Sequence, residues 1–147
     1  MGTGGAVLGA LREVPPCGRY LVLNADTYLD QQAYRLAFAS SQDALVAVLV
    51  EDRSRYGSLV CSENFQLLAL KEKGASGAGP VNAGVYAFAT DSLSEFAVQP
   101  CSIEKDILPL LIQRNQLFVC EYSGPFIDIG TPDSLGAFKS GFQEAYK

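Results

Sequence analysis

The sequence predicts an α/β fold, a sheet with helices packed on its faces. Short apolar runs rich in β-formers alternate along the chain with segments whose apolar residues recur at helical spacing. Hydrophobic residues make up 48% of the 147 and charged residues 18%, which is enough apolar side chain to fill a core. The length suits one domain, and neither a linker nor an internal repeat divides it.

Val7, Leu8 and Leu11 fall at helical spacing, so a helix is expected from Thr3 to about Val14, with Thr3 as N-cap and Pro15-Pro16 as its stop. Residues 19–24 (RYLVLN) are a short apolar run, expected as a buried strand that ends in Ala25-Asp26-Thr27. A helix is expected near residues 30–40, where Leu29, Ala33, Leu36 and Ala37 share one face. Residues 44–50 read as another buried strand and 51–57 as a polar loop. Residues 58–61 and 65–70 read as strands around a turn at Ser62-Glu63-Asn64. Residues 71–80 (KEKGASGAGP) are the one low-complexity stretch, flexible by composition.

Residues 81–89 (VNAGVYAFA) form a strand with a glycine inside it, which marks either a bulge or a close approach of the backbone to another group. Ser102 is placed to cap a helix in which Ile103, Ile107, Leu110 and Leu111 form one apolar stripe. Residues 116–121 and 126–129 read as strands. Thr131-Pro132 starts a last helix, with Leu135, Phe138, Phe142, Ala145 and Tyr146 at helical spacing.

The formal net charge of -5 argues against nucleic-acid binding, which draws on clustered Lys and Arg. With no histidine in the chain, every mechanism with a histidine base, nucleophile or metal ligand is excluded. The longest apolar runs are far shorter than the ~20 residues that span a bilayer, so no membrane association is expected. No basic segment followed by an apolar one opens the chain, and a cytoplasmic location is expected. Cys17, Cys61, Cys101 and Cys120 have no C-x-x-C spacing, so free, mostly buried thiols are expected.

In α/β sheets ligands collect at the carboxyl ends of strands. Asp26 falls there, just past an apolar run, where it is either a turn aspartate or a ligand. Asp128 lies between Ile127 and Ile129, where a buried carboxylate needs compensation from a cation, a metal or backbone amides. Lys71-Glu72-Lys73 reads by composition as a solvated charge cluster. Glu104 and Asp106 fall in the first turn of a helix, where interaction with the helix dipole accounts for them.

Seven stretches combine into a family pattern. They are Gly2-Thr3-Gly4-Gly5-Ala6; Leu21-Val22-Leu23-Asn24-Ala25-Asp26-Thr27-Tyr28; Arg55-Tyr56-Gly57; Glu72-Lys73; Val81-Asn82-Ala83-Gly84-Val85-Tyr86; Ser102-Ile103-Glu104-Lys105-Asp106; and Phe126-Ile127-Asp128-Ile129-Gly130-Thr131-Pro132. In this order they resemble the sugar nucleotidyltransferase (NDP-sugar pyrophosphorylase) family, and within it the heptose-1-phosphate and mannose-1-phosphate guanylyltransferases. There the patterns run LGTGGA, VLNGDTYF, RYG, EKG, INGGVY, S-x-E-x-D and FIDIG-x-P. The chain departs from the family in two places. It has no opening strand with a G-G-x-G-T-R-L-R loop, and it carries Ala25 where the family has the glycine of NGD.

The resemblance implies a Rossmann-like mixed sheet flanked by helices, in one nucleotidyltransferase-like domain over residues 1–147 that lacks the first strand and the phosphate-binding loop. It implies transfer of a nucleotidyl group from a nucleoside triphosphate, GTP by likeness, to a sugar 1-phosphate, with release of pyrophosphate. Both reactants are anionic, so positioning and charge neutralisation carry such a reaction and no protein nucleophile is needed. Mg²⁺ is the implied cofactor, with Asp26 and Asp128 as its carboxylates. Lys73 is implied as a contact to the sugar-linked phosphate and Glu72 to sugar hydroxyls. Asn82, Gly84, Asn24, Tyr56 and Gly57 would border the sugar, Gly84 by leaving room. Gly2, Thr3, Gly4 and Gly5 would lie against the base and ribose.

Without the phosphate-binding loop, the isolated chain is expected to turn over slowly or not at all, and a sugar-phosphate-binding remnant is the alternative. A glycosyltransferase with a strand-end D-x-D is a weaker fit, because the sequence there is Asn24-Ala25-Asp26. Absence of the first strand would also leave an exposed sheet edge, through which self-association is expected.

Overall fold

In a computed structural model of the chain, residues 2–71 and 73–145 are described, the last four of them by backbone alone. Helix α1 spans Gly2–Glu13 and is followed by strand β1 at Tyr20–Leu23 and strand β2 at Thr27–Leu29. Helix α2 (Gln31–Ala39) leads to β3 (Ala44–Val50), β4 (Ser58–Cys61), β5 (Leu67–Lys71) and the long β6 (Gly79–Phe88). A single π-helical turn at Ile103–Ile107 runs into α3 (Leu108–Gln113). Strands β7 (Phe118–Tyr122) and β8 (Phe126–Asp128) precede the last helix, α4 (Pro132–Ala145).

Six strands form one mixed sheet in the order β5-β4-β6-β3-β7, with β1 also paired to β6. Only β3 and β7 run parallel, while β1, β3 and β4 all meet β6 antiparallel. Strand β6 therefore has β3 along one edge and shares its other edge between β1, at Val85–Phe88, and β4, at Val81. A two-stranded ribbon of β2 and β8 stands apart. The mixed sheet with helices on both sides is the architecture expected from the sequence.

Both faces of the sheet are covered, which explains the unbroken apolar run of β3. Leu45 and Ala47 point toward α1 and α3, among Leu8, Tyr86, Phe88, Ile107, Leu108 and Leu111. Val46 and Val48 point the other way, toward Ala33 and Ala37 of α2 and Val81, Ala83, Val85 and Ala87 of β6. No helix among the described residues is long and apolar enough to cross a membrane.

Several local expectations change. Thr3 is not an N-cap; it lies inside α1, and its hydroxyl accepts a hydrogen bond from the Ile103 N–H at 3.1 Å. Asp30 caps α2 through the Gln32 N–H, as a short acidic side chain before a helix should. Leu36 of that helix is exposed, so its buried face is narrower than the spacing implied. Strand β1 is half-buried rather than buried, and Leu23 is 50% exposed, because β6 is its only strand partner among the described residues.

Ser102 does cap the next helical segment, through the Lys105 N–H. The π turn inserts one extra residue, so the apolar stripe slips from Leu110, which is exposed, to Leu108, which is buried. The loop expected to be flexible is tied down by Arg53, whose guanidinium donates to the carbonyls of Ser76 and Gly77. The cysteines are free, but Cys17 is exposed and the other three are only half-buried. Of the last helix's expected face, Leu135 and Phe138 are half-buried, while Phe142, Ala145 and Tyr146 lie outside the described side chains.

Tyr20 packs its ring on Phe88 at 5.9 Å, and its hydroxyl is buried with no hydrogen-bond partner among the described residues. Burial, with Asp43 and Asp91 adding to it, pushes its pKa up to about 12. The folded state thus prefers the neutral phenol. That preference is fully present below the ordinary value of 10.0 and is lost as pH rises through about 12. Tyr20→Phe should raise stability by about 1 kcal/mol at neutral pH, since it removes an unpaired polar atom. The variant should also flatten the stability loss between pH 10 and 12; urea unfolding across that range checks both.

Candidate active site

The site residues gather where the edge of β6 passes from β1 to β4. At the end of β1, the Asn24 N–H donates to the Gly84 carbonyl at 2.7 Å. At the start of β4, the Asn82 N–H donates to the Gly57 carbonyl at 3.1 Å. Between these points the register of β6 against β3 jumps from Leu45↔Tyr86 to Ala47↔Asn82, which places a bulge at residues 83–85. Gly84 sits in it at φ +74°, and a Cβ there would lie 2.6 Å from Asn24 Nδ2. Of the two meanings open for this glycine, the bulge is present and the close neighbour is the Asn24 side chain.

Asn82 is half-buried and anchors a network that runs from the buried Tyr86 to the exposed Glu104. Its Oδ1 accepts from the Gly84 N–H at 3.0 Å, and its Nδ2 donates to the Tyr86 hydroxyl at 2.7 Å and to Glu104 Oε1 at 2.9 Å. The Tyr86 hydroxyl also donates to Glu104 Oε1, at 3.4 Å. Burial and the nearby Glu104 carboxylate push the Tyr86 phenol far above its ordinary range, so it stays a neutral donor. Both amide hydrogens of Asn82 are used, which leaves acceptors open: a lone pair on Asn82 Oδ1 and the second oxygen of Glu104. Glu104 joins this network, although sequence reasoning accounted for it by the helix dipole alone. Its place in the first turn of a helix offered a sufficient local explanation, and its partner lies 22 residues away. Asp106 matches that local explanation, accepting from the Ser102 N–H at 2.6 Å.

Asp26 and Asp128 are brought together by the β2–β8 ribbon. Thr27 pairs with Asp128, and the Ile129 N–H donates to the Asp26 carbonyl at 2.8 Å. A Cβ at Gly130 would lie 2.9 Å from Asp128 Oδ1 and 3.4 Å from Asp26 Oδ2, so both carboxylates line the same small space. Asp128 Oδ1 accepts from the Gly130 N–H at 2.8 Å, and its Oδ2 faces Arg55 Nη2 at 3.4 Å. Two carboxylates with oxygen donors alone fit a hard cation such as Mg²⁺, which completes its shell with water or phosphate. Among the described residues no group of three or more His, Cys, Asp or Glu that could hold a metal ion is present, so the pair would depend on water or phosphate for the rest of a cation's shell.

Tyr56 stands beside this pair, packed edge-on to Phe126 at 5.7 Å, with Arg55 over its ring. Burial, and then the Asp128 carboxylate, raise its phenol above the ordinary value. Lys73 is exposed in the loop after β5, a loop joined to the Arg55 loop through the Gly74 N–H and the Ser54 carbonyl at 3.0 Å. Glu72 lies outside the described residues. At the other end of the group, Gly4 and Gly5 donate their N–H groups to the Cys101 carbonyl at 3.0 and 3.2 Å. Gly2 abuts the same carbonyl. The glycine-rich turn thus packs on the Cys101–Ile103 segment, beside the helical turn that carries Glu104.

A nucleotidyl transferase family model matches residues 2–144. The chain belongs to the nucleotidyl transferase family. It is 29% identical over 138 residues to the D-glycero-alpha-D-manno-heptose 1-phosphate guanylyltransferase of Campylobacter jejuni, covering 94% of this chain and 62% of that protein. It is 36% identical over 119 residues to the mannose-1-phosphate guanylyltransferase catalytic subunit beta of Dictyostelium discoideum, covering 77% of this chain and 33% of that one. The crystal structure of HddC from Yersinia pseudotuberculosis superposes with a TM-score of 0.80 at 30% identity, over 96% of this chain and 62% of that one. The same protein is also known complexed with GMP-PN, and that structure matches with a TM-score of 0.77. The chain therefore spans less than two thirds of the length of these relatives.

In this member of the nucleotidyl transferase family the bulge at Gly84 sets the local geometry of β6. Gly84→Ala puts a side chain at positive φ and against Asn24, so it should lower stability by more than about 1 kcal/mol in chemical denaturation. Ala83, which is buried beside it, shows no such conflict with a side chain.

Proposed function

We propose that the site binds a sugar 1-phosphate and a divalent cation, and serves transfer of a nucleotidyl group from a nucleoside triphosphate to that sugar phosphate. The observation that carries this reading is the convergence of Asp26 and Asp128 beside Gly130, with Asp26 two residues past Asn24, which abuts Gly84 in the β6 bulge. The relatives' names support guanosine as the nucleoside and mannose or a manno-heptose as the sugar.

In the reaction a phosphate oxygen of the sugar 1-phosphate bonds to the α-phosphorus of the triphosphate. The bond from that phosphorus to the bridging oxygen breaks, and pyrophosphate leaves. Asp26 and Asp128 would hold Mg²⁺, which supplies neutralisation of the phosphate charge where the new bond forms. Asn82 Oδ1 and Glu104 accept from sugar hydroxyls, with Tyr86 and Gly84 fixing their orientation. Tyr56 and Gly57 border the sugar, and Lys73 reaches its phosphate, with Glu72 beside it in sequence. Gly2, Thr3, Gly4 and Gly5 lie against base and ribose, and the protein works in the cytoplasm on soluble substrates.

Titration of the chain with α-D-mannose 1-phosphate in the presence of Mg²⁺ tests this reading. Asp26→Asn should weaken the metal-dependent part of binding by at least about 10-fold. Equal binding by the variant removes Asp26 from the cation site. Binding without pyrophosphate release when GTP is added would identify a sugar-phosphate binder rather than an enzyme.

We also propose that copies of the chain associate through the outer edge of β1, where no strand lies among the described residues and Leu23 is half-exposed. Leu23→Lys should then shift sedimentation toward the monomer. A wild-type chain that sediments as a monomer at all concentrations overturns this.

A further inference from the structure

We infer that Arg55 and the divalent cation compete for one oxygen of Asp128, so that loading the cation releases the guanidinium to the phosphate of the sugar 1-phosphate. The inference rests on the cation site proposed above. Asp128 has two oxygens with different commitments. Oδ1 is held by the Gly130 N–H at 2.8 Å, and Oδ2 meets Arg55 Nη2 at 3.4 Å. A cation entering between Asp26 and Asp128 draws on the same carboxylate that Arg55 now neutralises.

The two partners of this ion pair differ in freedom. The Asp128 side chain is 19% exposed and fixed by a backbone donor, whereas that of Arg55 is 52% exposed. The pair makes a single long contact rather than a bidentate one. Such exposed pairs contribute little, so a doubly charged ion displaces the guanidinium readily. Arg55 nevertheless stays close, because its guanidinium lies 5.9 Å from the centre of the Tyr56 ring, which is packed against Phe126 of β8.

Charge balance gives the release a direction. Two carboxylates and one guanidinium leave one net negative charge; adding a divalent cation leaves one net positive. With the two carboxylates neutralised by the cation, the remaining positive charge is that of the guanidinium, which loses its hold on Asp128 and has a phosphate dianion as its complementary ligand. Arg remains charged at any working pH, and its planar fork matches phosphate oxygens in pairs. Metal binding and sugar-phosphate binding are thereby coupled, and the coupling is reciprocal. The sequence pattern contains Arg55 as the first residue of Arg55-Tyr56-Gly57, but it carried no role there.

The test uses Mn²⁺ titration followed by electron paramagnetic resonance on the full 147-residue chain, with and without α-D-mannose 1-phosphate. In the absence of the sugar phosphate, Arg55→Gln should bind Mn²⁺ about two- to fivefold more tightly than wild type. It should also lose most of the tightening that mannose 1-phosphate gives the wild-type chain. Arg53→Gln makes the same charge change on the same loop, away from Asp128, and should bind Mn²⁺ as wild type does. Unchanged or weaker Mn²⁺ binding by Arg55→Gln, undiminished coupling, or equal tightening by Arg53→Gln overturns the inference while leaving the cation site in place. Equal Mn²⁺ binding by wild type and Asp128→Asn instead overturns the site itself, and the inference falls with it.

Discussion

One strand, β6, has to satisfy three neighbours. Along one edge it pairs with β3 over most of its length, and along the other it divides its hydrogen bonds between β1 and β4. Two strands cannot abut end to end on a shared edge without a gap, and the chain closes that gap with the backbone bonds from Asn24 to Gly84 and from Asn82 to Gly57. The bulge at residues 83–85 takes up the mismatch on the β3 side. What results is a fixed irregularity in the sheet, with Gly84 at positive φ and fully buried Ala83 beside it. Polar side chains on both sides of it are held by strand ends rather than by long loops, which is the way to hold them to within a fraction of an ångström.

The carboxylate pair depends on the same device at one remove. Asp26 lies two residues past Asn24, whose position the β6 edge sets, and Asp128 comes to it through three residue pairs of the β2–β8 ribbon. Bringing two like charges to one point is unfavourable unless something neutralises them. The structure meets this with the Gly130 N–H and with Arg55, while the bare Gly130 Cα leaves the space between the carboxylates open. A side chain there would separate the pair. The cost of the arrangement is thus carried by a backbone donor and one displaceable cation.

Most of the architecture was legible in the sequence because its signals are local. The apolar runs of β3 and β6, the Ser102 cap and the Thr131-Pro132 helix start depend on nearest neighbours, and they appear where expected. What escaped depends on pairing at a distance. The exposure of Leu23 reflects that β1 has only β6 beside it among the described residues, which an apolar run cannot announce. The slip from Leu110 to Leu108 comes from one extra residue in a helical turn, a change that hydrophobic periodicity averages away. In the site, the residue types were readable but their company was not. Asp26 and Asp128 stood out only as parts of extended motifs. Arg55 and Glu104 are joined to the site by contacts across 73 and 22 residues that no local pattern encodes.

The polarity of the open groups around the bulge bears on which kind of ligand suits them. Tyr86 is neutral and already donates, and Asn82 has spent both of its amide hydrogens on Tyr86 and Glu104. The remaining capacity is to accept, at Asn82 Oδ1 and at the second oxygen of Glu104. An anion brought here would meet the Glu104 carboxylate. A cluster of hydroxyls has donors to give, and each can be oriented by a fixed acceptor. Beside Gly130 the balance differs, because there the Arg55 guanidinium faces the Asp128 carboxylate and brings positive charge to it. A molecule that carries hydroxyls at one end and a phosphate at the other would satisfy both halves at once. The net charge of -5 does not oppose this, because short-range pairing at the site outweighs a diffuse field screened over about 8 Å at physiological salt.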